Sequence, residues 1–203
     1  MRDWEIISEE ASIVLVGNFN PKIFHPEWFI RKDIIEEWDY SRDELIELAD
    51  ISQITLPNER KLHVLLNKFS LQSSMASEHL ALKDLVMSTF AILKETPVKQ
   101  LGMNYTANIK INSRDSWVQF GRELVPTSHW ENAAPYITEL DDKQKEVFGL
   151  LSLTMKLPRP DELTGYIQPQ ISAVSLEGQT ISFRINNHVE IDSSDAMLMV
   201  EVL

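Results

Sequence analysis

The chain has 203 residues, of which 43% are hydrophobic and 25% charged, a composition that suits one globular domain with a sizeable core. Its 31 acidic and 19 basic residues give a net charge of −12, which argues against a surface for nucleic acid or anionic membrane, because such surfaces need clustered Lys and Arg. The absence of cysteine excludes disulfides, thiolate zinc sites and cysteine nucleophiles.

Two sequence features bear on where the protein is located. Residues 1–5 lack the basic region followed by an apolar run that marks a signal peptide. No apolar stretch in the sequence approaches the roughly 18 residues that a membrane span requires. We therefore expect a cytoplasmic protein that does not insert into a membrane.

The first 30 residues combine an apolar run with a turn-rich aromatic segment. Residues 12–17 are β-branched and apolar, and they predict a buried strand that ends at Gly17. Pro26 is expected to open a helix at its first position. Phe24, Trp28 and Phe29 then form a packed aromatic cluster, because aromatic side chains bury large areas whatever the function.

The next segment predicts a helix and two strands. Ser41 to Glu44 read as a capping box before apolar residues, which predicts a helix over about 42–49. Residues 51–56 and 61–71 predict two strands joined by a turn at 57–60. The apolar positions of 61–71 change parity along the segment, so either the buried face switches or both faces are covered.

An amphipathic helix and an alternating strand occupy the middle of the chain. Ser77 caps a helix that runs to Glu95, and its apolar positions recur at three- and four-residue steps: Leu82, Leu85, Val86, Phe90 and Leu93. In residues 102–112 the apolar side chains alternate with polar ones, which predicts a strand with one buried face. The buried positions would be Met103, Tyr105, Ala107, Ile109 and Ile111.

The last ninety residues predict a helix followed by extended segments. The helix begins at 112–113 and stops at Pro126. Three extended segments cover 147–157, 167–176 and 180–191, and the last two form a hairpin through 177–179. Pro158, Pro160 and Pro169 fit connections or sheet edges better than central strand positions.

The sequence contains no motif for phosphate, metal or nucleophilic chemistry. The six glycines are not spaced as in a phosphate-binding loop, and there is no Gly-x-Ser-x-Gly motif. The five histidines lie far apart in the sequence, without the paired spacing of a metal site. We therefore expect no catalytic residues, no metal and no cofactor.

One polar constellation remains as a candidate ligand-binding site. It lies on the polar faces of the strands at 102–112 and 180–192, which would form a polar platform if both strands belong to one sheet and face the same way. The alternative interpretation is an ordinary solvated sheet face. The residues are Asn104, Asn108, Lys110, Arg184, Asn186, His188 and Glu190.

The C-terminal run is a candidate interface, because apolar side chains at a terminus are usually held against something. Its period does not distinguish a strand from a helix, and it is expected to be buried within its own domain or against another chain. The residues are Met197, Leu198, Met199, Val200 and Leu203.

The junction Pro97-Val-Lys-Gln-Leu-Gly-Met-Asn-Tyr-Thr-Ala-Asn-Ile follows an amphipathic helix. It resembles an uncharacterised, sporadically distributed family of prokaryotic proteins in which a Leu-Gly-x-x-Tyr-x-x-x-Ile strand follows a helix. The resemblance covers a short part of the chain. It implies an α+β prokaryotic protein and carries over no activity and no catalytic residue.

These observations predict an α+β fold, with a largely antiparallel twisted sheet and helices packed mainly on one face. We expect a single domain over 1–203, in which 1–73 and a β-rich 147–203 are recognisable subregions. The leading hypothesis is a non-enzymatic interaction or accessory protein that binds a protein partner or a second copy of itself. The alternative is a small-molecule-binding protein or enzyme that uses the polar sheet face.

Overall fold

The computed structural model describes residues 3–40, 45–130, 133–134, 136, 139, 150–175 and 179–191. Within these residues the fold is α+β, with a large antiparallel sheet and few helices, as predicted. No helix among the described residues combines the length and apolar character needed to cross a membrane.

The described elements have the following bounds. The strands are β1 (Trp4–Gly17), β2 (Ile46–Glu47), β3 (Ile51–Leu56), β4 (Arg60–Leu65), β5 (Lys68–Ser73), β6 (Val98–Ile111), β7 (Ser152–Thr154), β8 (Leu157–Pro158), β9 (Gly165–Ser175) and β10 (Thr180–Glu190). The α-helices are α1 (Pro26–Arg31), α2 (His79–Ile92) and α3 (Arg114–Leu124). The strands pair in the order β2-β3-β4-β5-β1-β6-β10-β9-β7, and β8 also pairs with β9.

The chain divides into two compact units. The first unit comprises Met1–Ser8, Thr106–Met155 and Pro169–Arg184. The second unit comprises Glu9–Tyr105, Lys156–Gln168 and Ile185–Leu203. Each unit is described below by itself.

The core of the second unit is aromatic at its centre. The ring of Phe69 in β5 lies 5.6 Å from that of Phe24 and 5.2 Å from that of Phe90 in α2. The predicted aromatic cluster is confirmed, since the rings of Phe24, Trp28 and Phe29 contact one another and pack in this core. The apolar face of α2 is confirmed as well: Leu82, Leu85, Val86 and Phe90 are buried, and Leu93 packs against them.

Helix α1 begins where Pro26 predicts it. Pro26 occupies the first turn, where the missing N–H costs no intrahelical hydrogen bond. The Nδ1 atom of His25 accepts a hydrogen bond of 3.1 Å from the backbone N–H of Glu27 and so caps the helix.

Two predictions in the segment after α1 need correction. The predicted helix over 42–49 is wrong where it can be tested, because residues 46–47 form strand β2 and pair with Ser52 and Gln53 of β3. Residues 41–44 lie outside the described residues. The predicted strand 61–71 is two strands, β4 and β5, joined by a turn at Leu66 and Asn67. This turn explains the change in the parity of the buried positions.

Strand β6 extends the predicted strand by four residues towards the N-terminus. Ala107 and Ile111 are buried, while Tyr105 and Ile109 are half-buried, so their predicted burial is only partial. The side chains of Asn104 and Asn108 hydrogen bond to Ser12 and Ser8 of β1.

The first unit has a smaller core of its own. Ile111, Trp117, Val118 and Ile181 form it, with Ile109, Phe120 and Ala173 packed against them. Helix α3 begins as predicted, because the Ser113 hydroxyl accepts a 3.0 Å hydrogen bond from the backbone N–H of Ser116. It ends at Leu124, two residues before Pro126.

Within the predicted extended segment 147–157, residues 152–154 form β7 and Leu157 begins β8, and these two short strands pair with separate parts of β9. Residues 147–149 lie outside the described residues. In the first unit, Met155 donates a backbone hydrogen bond of 3.0 Å to the carbonyl of Pro169. Pro169 lies within β9, which has neighbouring strands on both sides, and not in a connection or at a sheet edge as predicted; it has no N–H with which to return this hydrogen bond. Residues 176–178 of the predicted hairpin turn and the C-terminal run from 192 onwards lie outside the described residues, as do the interface candidates within that run.

Gly17 ends β1 at a point of close approach. A Cβ atom at this position would lie 2.1 Å from the carbonyl oxygen of Pro97, which accepts a 2.9 Å hydrogen bond from the backbone N–H of Asn18. No side chain fits there without moving the backbone.

Candidate functional site

The polar constellation predicted from the sequence lies on the neighbouring strands β6 and β10. The second unit contains Asn104, Asn186, His188 and Glu190, and the first unit contains Asn108, Lys110 and Arg184. The two groups are considered separately.

Backbone hydrogen bonding fixes which side chains of the second unit face one another. Ile191 donates a 2.8 Å hydrogen bond to the carbonyl of Lys99. In an antiparallel pair this register places Asn104 opposite Asn186 and Gly102 opposite His188. Directly opposite residues share a face of the sheet, so these residues lie together.

Gly102 lies between two side-chain amides. A Cβ atom built on it would be 3.6 Å from Asn104 Nδ2 and 3.7 Å from Asn186 Oδ1. Asn104 Nδ2 also donates a 3.4 Å hydrogen bond to Ser12 Oγ. Together with His188, these half-buried residues form a polar cluster around a position without a side chain, which we call the Gly102 notch: Gly102, Asn104, Asn186 and His188.

An aromatic pair borders the Gly102 notch. The rings of Tyr166 in β9 and His188 in β10 have centroids 4.7 Å apart and planes inclined by 30°. Lys156 Nζ lies 4.2 Å from the centroid of the Tyr166 ring, within cation–π distance. These contacts restrain the imidazole of His188.

Arg159 holds the backbone beside this aromatic pair. Its guanidinium donates to both carboxylate oxygens of Asp161, to Asn187 Oδ1 and to the carbonyl of His188. The hydrogen bond from Arg159 lowers the pKa of Asp161 below its ordinary value. Gly165 has a φ of 154°, and a Cβ there would lie 2.1 Å from the His188 carbonyl oxygen.

Sequence reasoning missed Lys156, Arg159 and Tyr166 as neighbours of the predicted site. Arg159 lies between Pro158 and Pro160, a sequence context typical of a connection. Tyr166 lies just before the predicted extended segment 167–176, and nothing in the sequence gives its register with His188.

The predicted residues of the first unit do not form a comparable site. Asn108 Nδ2 donates a 2.9 Å hydrogen bond to Ser8 Oγ, while Lys110 and Arg184 are exposed. Within the described residues, Ser182 Oγ is buried and has no hydrogen-bond partner. Nothing in this group brings a charged side chain and a cavity together.

A different feature, at the β2 edge of the sheet, consists of two adjoining cavities in the second unit. One has a volume of about 420 Å³ and is lined by His25, Glu27, Tyr40, Leu45 and Glu47. The other has about 500 Å³ and is lined by Pro21, Lys22, Glu47, Leu48, Ala49, Ile51 and Ser52. Glu47 borders both cavities, and its Oε1 lies 3.4 Å from His25 Nε2. We call this pair of cavities the β2 groove.

The described residues contain no group of three or more His, Asp and Glu side chains arranged to hold a metal ion. No protein-family model matches the chain, and no curated protein matches it. The candidate sites therefore rest on their own geometry.

Proposed function

We propose that this chain is a non-enzymatic interaction or accessory protein of a prokaryotic cytoplasmic system, and that it binds a partner protein along the β2 groove. The observation that carries the proposal is the pair of adjoining cavities on either side of Glu47. Cavities of this size accept individual side chains of a bound segment.

The position of β2 in the sheet supports the same proposal. Among the strands that the structure describes, β2 ends the strand order, and it pairs with β3 on one side. An edge strand offers backbone N–H and C=O groups to an extended partner segment. Ile46 and Leu48, which are both exposed, provide apolar surface beside those groups.

The charge of the groove indicates the chemistry of the partner segment. Glu27 and Glu47 line one cavity beside the aromatic ring of Tyr40, and Glu47 is the one of the two that is not already paired with a described arginine, since Glu27 forms an ion pair with Arg31. A carboxylate and an aromatic face both attract cations. The segment that fits is therefore extended and carries a basic side chain next to apolar ones.

Copurification from the native host, with mass spectrometry of the bound proteins, tests this function. The substitution Glu47→Lys reverses a charge in the groove, and Leu48→Asp places a carboxylate on its apolar wall. Each should abolish copurification of the protein that binds the groove. Leu66→Asp is the matched control: Leu66 is 54% exposed, against 61% for Leu48, and lies outside the groove. Retention of the partner by both groove variants would refute the proposal.

We also propose a second form of this interaction, in which copies of the chain associate with one another through the C-terminal run. Light scattering of the intact chain and of a chain that lacks residues 197–203 distinguishes the two forms. A lower mass with the fold retained would support the oligomer. An unchanged mass would leave the partner protein as the remaining form.

Small-molecule binding on the polar sheet face is the second candidate function. The observation that favours it is the Gly102 notch, where two amides flank a position without a side chain.

We also propose that the helices pack mainly on one face of the sheet, which would leave the opposite face open. The contact of Phe90 with Phe69 supports this arrangement for α2.

Membership of the uncharacterised prokaryotic family is likewise a proposal, and it names no ligand.

A further inference from the structure

We propose that the cavity beside Tyr40 in the β2 groove binds the guanidinium group of an arginine side chain that the partner protein carries. The inference rests on the proposed function, and it adds the chemical group that the partner presents and the residues that recognise it. The cavity has a volume of about 420 Å³, and we call it the Tyr40 cavity. Its lining residues are His25, Glu27, Tyr40, Leu45 and Glu47.

The first step concerns the charge of Glu47. The Nδ1 atom of His25 accepts the capping hydrogen bond from the backbone N–H of Glu27, so this nitrogen carries no hydrogen. The imidazole that caps the helix is therefore neutral, and its ring hydrogen is on Nε2, which lies 3.4 Å from Glu47 Oε1. A neutral imidazole orients the carboxylate of Glu47 and leaves its negative charge in place.

The second step concerns the other charged side chains of the groove. Glu27 Oε2 accepts a 3.0 Å hydrogen bond from Arg31. Lys22 lines the second cavity of the groove. In the Tyr40 cavity, Glu47 is thus the carboxylate with which no arginine or lysine among the described residues forms an ion pair. A cation that enters this cavity meets the charge of Glu47.

The third step concerns why this cation is a guanidinium. The Tyr40 ring is held by Trp38, with centroids 5.6 Å apart, and meets His25 edge to face at 6.3 Å. A planar guanidinium stacks on an aromatic ring and donates two N–H groups to one carboxylate, whereas an ammonium is a strongly hydrated point charge. The aliphatic stem of an arginine also packs against an apolar side chain, which Leu45 supplies.

The fourth step places the arginine within the partner segment. The second cavity has a volume of about 500 Å³, and Glu47 borders it as well. Most of its other lining residues are apolar: Pro21, Leu48, Ala49 and Ile51. A segment with its arginine in the Tyr40 cavity therefore places an apolar side chain in the second cavity. The arginine is the contact that gives specificity, since arginines are enriched among the residues that dominate interface energies.

The experiment titrates the ¹⁵N-labelled chain with N-acetyl-arginine amide and, separately, with the corresponding citrulline and lysine derivatives. Citrulline has nearly the shape of arginine but carries no charge. The arginine derivative should give saturable shifts of the backbone amides of Leu45 and Glu47. The citrulline derivative should give none, and the lysine derivative should bind about threefold more weakly or less tightly still.

Two substitutions in the cavity and one outside it test the assignment of roles. Glu47→Gln should weaken binding of the arginine derivative by about tenfold or more, because it removes the charge and keeps the shape. Tyr40→Leu should weaken it by about threefold or more, because it removes the aromatic ring. Glu95→Gln is the matched control and should leave binding unchanged, since Glu95 is an exposed glutamate of the same unit outside both cavities. Unchanged backbone amide signals of Phe69 and Phe90 show that each variant keeps its core.

Three results would overturn the inference: no saturable response to the arginine derivative, an equal response to the citrulline or lysine derivative, or a response that Glu47→Gln leaves unchanged. Copurification separates these failures from failure of the proposed function. A partner that Leu48→Asp releases, in a chain without an arginine response, would retain the proposed function and refute the guanidinium site. An arginine response that Glu47→Gln abolishes, in a chain that retains no partner, would support the guanidinium site and refute the partner protein.

Discussion

The hydroxyl of Tyr105 donates a 2.6 Å hydrogen bond to the carboxylate of Glu9, which joins strands β6 and β1 of the second unit. The imidazole of His79 in α2 meets the same phenol ring edge to face, with centroids 5.8 Å apart. The hydrogen bond to Glu9 raises the pKa of Tyr105 above its ordinary value, with help from partial burial and from the charge of Glu9. A phenolate at this position would face a carboxylate.

Stability should therefore decline in alkaline solution in a way that depends on Tyr105. The raised pKa means that the folded state retains the phenol proton at a pH where the unfolded chain has lost it. This contribution to the free energy of unfolding is complete below pH 10.0, the ordinary pKa of tyrosine, and is lost as the pH rises through the folded-state pKa. In urea denaturation between pH 8 and pH 11, the free energy of unfolding should decline less steeply with pH for Tyr105→Phe than for the unmodified chain. Parallel profiles for the two proteins would contradict this assignment.

Helix α2 offers a matched pair of substitutions that measures core packing. Phe90 is fully buried and Leu80 is 83% exposed on the same helix. Phe90→Ala should lower the free energy of unfolding by roughly 3–5 kcal/mol, because it removes a large ring and leaves a cavity. Leu80→Ala should change it by less than about 0.5 kcal/mol. A loss below about 0.5 kcal/mol for Phe90→Ala in chemical denaturation would show that Phe90 is not part of the core.

Two arginines allow a shielded ion pair to be compared with an exposed one. The Arg159 side chain is only 6% exposed and bonds to Asp161, Asn187 and the His188 carbonyl. Arg159→Ala should cost about 1–3 kcal/mol of stability, since hydrogen bonds to a charged group are lost and the half-buried acceptors of Asn187 and His188 lose their donor. Arg31→Ala removes an exposed pair with Glu27 four residues away and should cost about 0.5 kcal/mol or less. Equal effects in thermal denaturation would argue against the role assigned to Arg159.

Duplex DNA should bind negligibly at physiological salt. The net charge of −12 leaves few cations to neutralise phosphates and release counterions. Fluorescence anisotropy with a labelled duplex at several salt concentrations checks this prediction. Tight binding that weakens steeply with salt would contradict it.

The sequence predicted those elements whose signals are local. Pro26 and Ser113 mark helix starts because a missing N–H or a capping hydroxyl acts within one turn. The capping box at 41–44 had the same kind of signal, yet residues 46–47 pair with β3. Their backbone partners lie on another strand, and no property of residues 41–49 alone reveals that pairing.

The candidate site shows the same division between local and long-range information. Alternation along β6 and β10 predicted which residues lie on the polar face, because a strand places every second side chain on one side. The register between strands was not accessible from the pattern. Without it, neither the position of Gly102 opposite His188 nor the stacking of Tyr166 on His188 could be predicted.

The contact of Gly17 with the Pro97 carbonyl has a consequence for how relatives of this chain are compared. Any protein that shares this arrangement must keep glycine at position 17, whatever it binds, since a Cβ would lie 2.1 Å from that oxygen. An invariant glycine at the position that corresponds to Gly17 therefore reflects the fold that these proteins share. Position 102 differs, because a methyl group there would meet its neighbours only at ordinary van der Waals distances of 3.6–3.9 Å, so this steric reason does not require glycine.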